Sequence, residues 1–202
     1  MLEQLILARH GETEWNIAGR AQGRADSPLT DAGMEQARAL GRALAAQGVE
    51  HIVSSTLGRA RHTADIAAAI VGCTVSVDER FVERGFGELE GRHVADLIAE
   101  DDLLGAVILG HDPLVSAGGG ESLHDVALRM QAGMQDALAL PYHRVAVITH
   151  GHCLKAILGA LRDGGDYASY RHGNCAYTPL AVQQGAFVVD RWNISALELT
   201  PA

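Results

Sequence analysis

Three short stretches of this 202-residue chain place arginine, histidine, serine and glycine directly after apolar runs. The first is Arg9-His10-Gly11-Glu12-Thr13-Glu14-Trp15-Asn16, the second Ser54-Ser55-Thr56-Leu57-Gly58-Arg59-Ala60, and the third Thr149-His150-Gly151-His152. Brought together they offer two guanidinium groups, at least two imidazoles and the amides of helix N-termini. A dianionic phosphoryl group requires that set of donors. Taken singly, each residue has an ordinary use: an arginine in a surface ion pair, a glycine in a tight turn, a histidine hydrogen-bonded at a strand end. The repetition of His-Gly after two separate apolar runs, with arginine before the first, favours a joint purpose.

Positioning these groups requires strands that end at one edge, where ligands sit in open α/β sheets. Gln4–Ala8, His51–Ser54, Thr74–Val77 and Arg144–Ile148 are short, apolar or β-branched runs that read as strands. Between them lie helical patterns. One is capped at Thr30 or Asp31 and stops near Gly48; its apolar side carries Ala37, Leu40 and Leu44. Another is capped at Ser55 or Thr56, with Leu57, Ala60, Ala64 and Ala67 facing inward. A third runs from about Ser122 to Leu140 before Pro141, and a fourth carries Leu154, Ile157, Leu158 and Leu161 and ends at Gly164-Gly165. The alternating runs Tyr177–Val182 and Phe187–Trp192 form a hairpin, and Pro179 assigns its first arm to a sheet edge. The expected fold is α/β: a three-layer α/β/α sandwich around a mixed, mostly parallel sheet, with a short cap insertion at about 92–117 and a C-terminal hairpin. Residues 1–202 are expected to form one domain.

Leu7-Ala8-Arg9-His10-Gly11-Glu12-Thr13 resembles the Arg-His-Gly signature of the histidine phosphatase, or phosphoglycerate mutase-like, superfamily. Further blocks follow in the same order. They are Leu29-Thr30 with Gly33, Gln36 and Ala37; Ser55 to Ala64 around Arg59; Glu83 with Phe86-Gly87 and Glu90-Gly91; Gly120-Glu121-Ser122; and Thr149-His150-Gly151. The resemblance implies a phosphatase of the broad-specificity or α-ribazole type, with His10 as the nucleophile that forms a phosphohistidine. It makes Arg9, Arg59 and His150 the groups on the transferring oxygens and Glu83 the general acid, chosen from Glu79, Glu83, Glu88 and Glu90 by its spacing to Phe86-Gly87. Gly11, Asn16, Gln22, Gly23, Gly151 and His152 complete the phosphate- and substrate-binding set, the last two through their amides.

Composition narrows the partners. Formal charge is −9, and the segment Asp78–Asp125 holds twelve acidic residues against three arginines. Such a surface repels nucleic-acid backbones. No apolar run approaches the ~18 residues of a membrane span. The start Met1-Leu2-Glu3-Gln4 lacks the basic flank of a signal peptide, and three widely spaced cysteines (Cys73, Cys153, Cys175) suit small buried side chains in a reducing cytoplasm. A small-molecule phosphate ester is therefore the expected partner, with neither cofactor nor metal, and the Phe187–Trp192 arm offers an edge for a homodimer. Within residues 92–117 the one permanent cation is Arg92, among Asp96, Glu100, Asp101, Asp102 and Asp112. That balance argues for a phosphatase over a cofactor-dependent phosphoglycerate mutase. An acidic, partly apolar rim (Leu97, Leu103, Leu104, Val107, Ile108) argues for a neutral or cationic leaving group. Two rival readings are a metal hydrolase built on His150-Gly151-His152, opposed by the neighbouring arginines, and a catalytically silent phosphate-binding module.

Overall fold

The computed structural model describes residues 1–162 and 167–197. Six strands form one sheet: β1 (Gln4–Arg9), β2 (His51–Ser54), β3 (Thr74–Val77), β4 (Arg144–Thr149), β5 (Tyr177–Gln183) and β6 (Ala186–Val189). Their order is β3-β2-β4-β1-β5-β6. The first four run parallel, and β5 and β6 are antiparallel to their neighbours.

Alternation along β1 and β4 divides the core into two layers. Leu5, Leu7, Val145 and Val147 face one side and pack on α6 (Leu123–Ala137) and α7 (Gly151–Leu161). Ile6, Ala8, Ala146 and Ile148 face the other and pack on α2 (Asp31–Ala46) and α3 (Gly58–Val71). Both faces of the central strands are thus buried, which is why those runs read as continuously apolar. Thr30 caps α2 by accepting from the Gly33 amide, and Ser122 and Asp125 form a reciprocal capping box on α6. A short helix, α1 (Glu14–Ile17), follows β1 and is closed by a capping box between Thr13 and Asn16.

Several boundaries differ from expectation. Leu57 is the N-cap of α3 rather than part of its inner face, and no side chain caps that helix end. Helix α6 stops at Ala137, ahead of Pro141, and β6 stops at Val189. Gly164-Gly165 lies outside the described residues. Strand β5 is interior rather than an edge: Pro179 stands opposite Ile6 of β1. The Tyr177 amide points away from β1 to the Ile194 carbonyl, so the ring nitrogen of Pro179, two residues on, also points away. The β6 ladder begins only at Leu180, so the missing N–H of Pro179 falls between two bonded segments and breaks no ladder bond.

The cap comprises α4 (Val94–Glu100) and α5 (Asp102–Leu109). Its Leu97, Val107 and Ile108 pack with Ala21, Phe86 and Leu89 in a small core of their own. Three side chains from the main body donate to consecutive carbonyls in the last turn of α5. Arg84 Nη1 reaches Val107 O at 2.7 Å, His152 Nε2 reaches Ile108 O at 3.0 Å, and Lys155 Nζ reaches Leu109 O. These carbonyls have no partner within the helix, so the donors satisfy the end of α5 and fix the cap. Among the described residues no helix is long and apolar enough to cross a membrane.

Candidate active site

The carboxyl ends of β1, β2 and β4 converge as the apolar runs require, bringing Arg9 and His10, Ser54 and Ser55, and Thr149 and His150 to one edge. His10 is 2% exposed. Its Nδ1 lies 2.7 Å from the carbonyl oxygen of Gly11. A carbonyl only accepts, so Nδ1 carries the proton and Nε2 keeps its lone pair. Arg59 Nε donates to that Nε2 at 3.3 Å. Burial, then Arg59, then Arg9 hold the His10 pKa well below the usual imidazole value, so the ring is neutral.

The Gly11 backbone is held for this purpose. A Cβ there would stand 2.5 Å from the Gly33 carbonyl oxygen, so only glycine permits the loop to lie against the start of α2. Its amide donates to Thr63 Oγ1 at 3.0 Å. Gly11 was expected to bind phosphate; instead its amide is spent on Thr63 and its carbonyl sets the His10 ring.

His150 is fully buried, its ring 5.2 Å from that of His10. Ser55 Oγ accepts from the Leu57 amide at 3.3 Å and lies 2.7 Å from His150 Nε2. With the serine proton on that contact, the His150 proton sits on Nδ1 and is available to a ligand. His150 Nδ1 and Arg9 Nε are the two buried side-chain polar atoms without a hydrogen-bond partner among the described residues. Unsatisfied buried donors are rare and need a reason. Here both belong to the same site, and an oxyanion beside His10 Nε2 would satisfy them. Arg9 is otherwise anchored by Nη1 to the His172 carbonyl at 2.7 Å.

Arg59, 2% exposed, also organises the loop across the site. It donates to the carbonyls of Gly23 and Ala25, each at 2.8 Å, and to Asp26 Oδ1 at 2.9 Å. Gly58, which weakens the helix in propensity terms, is explained by this loop: a Cβ there would lie 2.4 Å from Asp26 Oδ2. Glu90 ties the same loop to the next segment, accepting from the amides of Arg24, Ala25 and Phe86. Gly23 has φ +53°, and a Cβ there would meet the Glu90 carboxylate.

A cavity of about 560 Å³ opens at this edge, within the range of small-molecule sites. Of the expected residues, Arg9, His10, Asn16, Gln22, Gly23, Arg59, Glu83, Gly151 and His152 line it. Among the four acids considered, Glu83 alone does so; Glu79 and Glu88 are exposed, and Glu90 is spent on amides. Glu83 accepts from the amides of Arg84 at 2.8 Å and His152 at 3.4 Å. The His152 amide therefore faces the carboxylate rather than the oxyanion position. Asn16 Oδ1 accepts from the Thr13 amide and from Asn174 Nδ2, which directs its own NH₂ away from them.

Sequence reading overlooked Arg20, Lys155, Arg171 and His172 on the cavity wall, and Asn174 beneath it, where its Nδ2 also donates to the His10 carbonyl. The signal was the polar run Arg171-His172-Gly173-Asn174 just before β5. Because β5 is antiparallel to β1, that run must lie at the carboxyl end of β1. The expected acidic rim is not found: Asp96, Glu100, Asp101, Asp102 and Asp112 are exposed and do not line the cavity, and Arg92 pairs with Glu100. Its walls carry five cationic side chains (Arg9, Arg20, Arg59, Lys155, Arg171) against one acid, Glu83.

This constellation matches a known family. The model of the histidine phosphatase superfamily (branch 1) aligns with residues 5–195. The chain belongs to that superfamily. It is 37% identical over 194 residues to a probable phosphoglycerate mutase, GpmB, of Proteus mirabilis, covering 95% of this chain and 90% of that one. Its fold is similar to that of Bacillus stearothermophilus YhfR, with a TM-score of 0.87 and 32% identity, over 96% of this chain and 99% of that one. It is also similar to a mycobacterial glucosyl-3-phosphoglycerate phosphatase in complex with VO3, with a TM-score of 0.86 and 29% identity, over 96% and 100% of the two chains. As a superfamily member the chain is a phosphoryl-transfer enzyme.

Proposed function

We propose that the protein hydrolyses a small phosphomonoester whose alcohol part carries a second anionic group, through a phosphohistidine on His10. One observation carries the reading: His10 is neutral and buried with its Nε2 unprotonated, and it shares a strand edge with Arg9 Nε and His150 Nδ1, the two buried side-chain polar atoms without a partner among the described residues. Nε2 attacks phosphorus, a P–N bond forms, and the P–O bond to the alcohol breaks. Arg9, Arg59 and His150 hold the oxygens as their charge shifts. Asn16 donates from its NH₂, while Gln22, Gly23 and Gly151 shape the wall. Glu83 gives a proton to the departing oxygen, then takes one from the water that attacks the phosphohistidine. The P–N bond breaks, inorganic phosphate leaves, and both groups return to their starting states.

The leaving group is assigned by charge. Besides Arg9 and Arg59, the cavity is lined by Arg20 and Arg171, an excess of positive charge that favours an acidic leaving group over a neutral or cationic one. The same excess fits a bisphosphorylated acid, which keeps mutase-type transfer as the second reading, alongside the similarity to GpmB. Hydrolysis is favoured because the one permanent cation within residues 92–117, Arg92, pairs with Glu100 outside the cavity. In this reading Arg9 and Arg59 supply the positive charge at the transferring oxygens, so the reaction needs no metal.

The test is a panel of phosphate esters with acid quench during turnover, on wild type and His10→Ala. The expected result is an acid-labile phosphoenzyme at His10, release of inorganic phosphate, inhibition by vanadate, and activity unchanged by excess chelator. Faster transfer from a bisphosphorylated acid to a monophosphorylated acid than to water would establish the mutase reading instead. An inactive wild type that still binds phosphate would establish the silent module.

A further inference from the structure

His152 stands where the family resemblance assigned only a backbone amide, and its ring is the more distinctive feature. It lies in the first turn of α7, two residues beyond His150, and lines the cavity. Its Nε2 is 3.0 Å from the carbonyl oxygen of Ile108, so Nε2 carries the proton and donates. The ring meets Phe86 edge-on, with centroids 5.1 Å apart and planes at 88°, which fixes its orientation. Nδ1 is then a bare acceptor with no protein partner among the described residues. Burial, with Lys155 and Arg84 close by, keeps the ring neutral, so this acceptor persists across the physiological range.

Two other side-chain acceptors on the wall are already engaged. Asn16 Oδ1 holds Thr13 and Asn174, and Gln22 Oε1 faces the Ser27 hydroxyl. Nδ1 is bonded to Cγ and so lies on the half of the ring nearer its own backbone. The amide of that same backbone is the group that reaches Glu83 Oε2. A leaving group whose ester oxygen meets Glu83 would pass His152 close to that oxygen.

We infer that His152 Nδ1 is a specificity determinant, which accepts a hydrogen bond from a hydroxyl on the carbon next to the ester-bearing carbon of the leaving group. The substrate class becomes a phosphate ester of a vicinal diol or hydroxy acid. This rests on the phosphatase reading of the same site. A cavity that must pair its acceptor discriminates strongly against an analogue lacking the hydroxyl.

The experiment compares 2-hydroxyethyl phosphate with n-propyl phosphate, in which a methyl replaces the hydroxyl. The ratio of their kcat/KM values is measured for wild type, His152→Asn and His152→Gln. Asparagine puts a polar atom near the Nδ1 position, and glutamine puts one near Nε2, so the two separate substrate recognition from cap anchoring. Wild type should favour the hydroxylated ester about tenfold, the scale of one hydrogen bond to a buried acceptor. His152→Asn should keep most of that ratio, and His152→Gln should lose it, whatever happens to the absolute rates. Equal turnover of both esters by wild type, or an unchanged ratio in His152→Gln, overturns the inference while leaving the phosphatase reading in place. Failure of wild type to release phosphate from any ester of the panel overturns both.

Discussion

The Nε of Arg59 lies 3.3 Å from the Nε2 of His10, and in that pair the arginine can only donate. A guanidinium thus points at the atom proposed to attack phosphorus, which must stay unprotonated to do so. The contact serves two ends. It holds the lone pair in place before substrate arrives, and its positive charge disfavours protonation of the ring.

Replacing Arg59 should therefore do more than remove a phosphate ligand. Arg59→Ala is expected to lower kcat by about 10²–10³, the scale of one lost oxyanion donor. It should also raise the pKa of His10 towards the ordinary imidazole value, because the second-largest cause of its depression is gone. NMR titration of the His10 ring checks the second effect; a titration identical to wild type would remove the electrostatic argument. Arg59→Lys should not rescue the rate, since lysine cannot span His10, Gly23, Ala25 and Asp26 together.

Glu83→Gln tests the acid. A poor leaving group needs a proton as the P–O bond breaks, whereas p-nitrophenolate leaves without one. Loss of general acid catalysis is expected to cost about 10²–10⁴ on alkyl phosphates. The loss on p-nitrophenyl phosphate should be much smaller. Equal losses on both would place Glu83 outside the proton-transfer step.

The parts of the site that were legible in the sequence are those fixed by strands buried on both faces. Leu5 to Ala8 and Val145 to Ile148 could only be central strands, and Arg9, His10, Thr149 and His150 follow at their ends. What escaped depended on pairings that local pattern does not encode. Pro179 argued for an edge, and only the gap between the Ile194 bridge and the β6 ladder shows why it sits inside. With β5 misplaced, Arg171, His172 and Asn174 had no reason to approach His10. The acids of the cap misled for a related reason: their number is visible in the sequence, but the outward face of a short helix pair is not.

Gly11 carries a structural requirement that can be tested apart from charge. In Gly11→Ala the new Cβ would meet a backbone carbonyl, that of Gly33, at 2.5 Å, and neither loop nor helix can swing aside as a side chain would. Destabilisation of roughly 1–3 kcal/mol is expected from such overpacking. The shift should also displace the carbonyl that holds His10 Nδ1, so phosphoenzyme formation should fall even in the folded fraction. Urea unfolding with quench labelling separates the two effects. Full stability together with full labelling would show that the close approach is not needed.

Arg84 is the fixed point of the cap. It is fully buried and donates to the carbonyls of Glu121, Val107 and Val115 at 2.7, 2.7 and 2.8 Å. Burial lowers its pKa to about 10, which still leaves it charged at neutral pH. Arg84→Met would fill much of the volume but leave three carbonyls unpaired, at about 1–3 kcal/mol for each that stays buried. The cap should then loosen, with faster hydrogen exchange in α5 than in α7, and KM should rise more than kcat falls. Uniform exchange in the two helices would show that His152 and Lys155 suffice to hold α5.

Acid should weaken the fold through histidines that are buried neutral. His10, His150 and His152 all have pKa values held well below 6.5, and burial pushes His172 down to about 4. Between those folded values and about 6.5, the unfolded chain binds a proton at each ring and the folded chain does not. Stability therefore rises with pH in that window, by up to about 1.4 kcal/mol per pH unit per ring, and is flat above it as far as these groups are concerned. Denaturant midpoints should be constant from pH 7 to 8 and fall steadily from pH 6.5 to 4.5. His172→Gln keeps a polar partner for Thr178, with which His172 Nε2 bonds at 2.7 Å, and should flatten the slope by the share of one ring. A slope unchanged by that substitution would mean that His172 contributes nothing to the acid transition in this range.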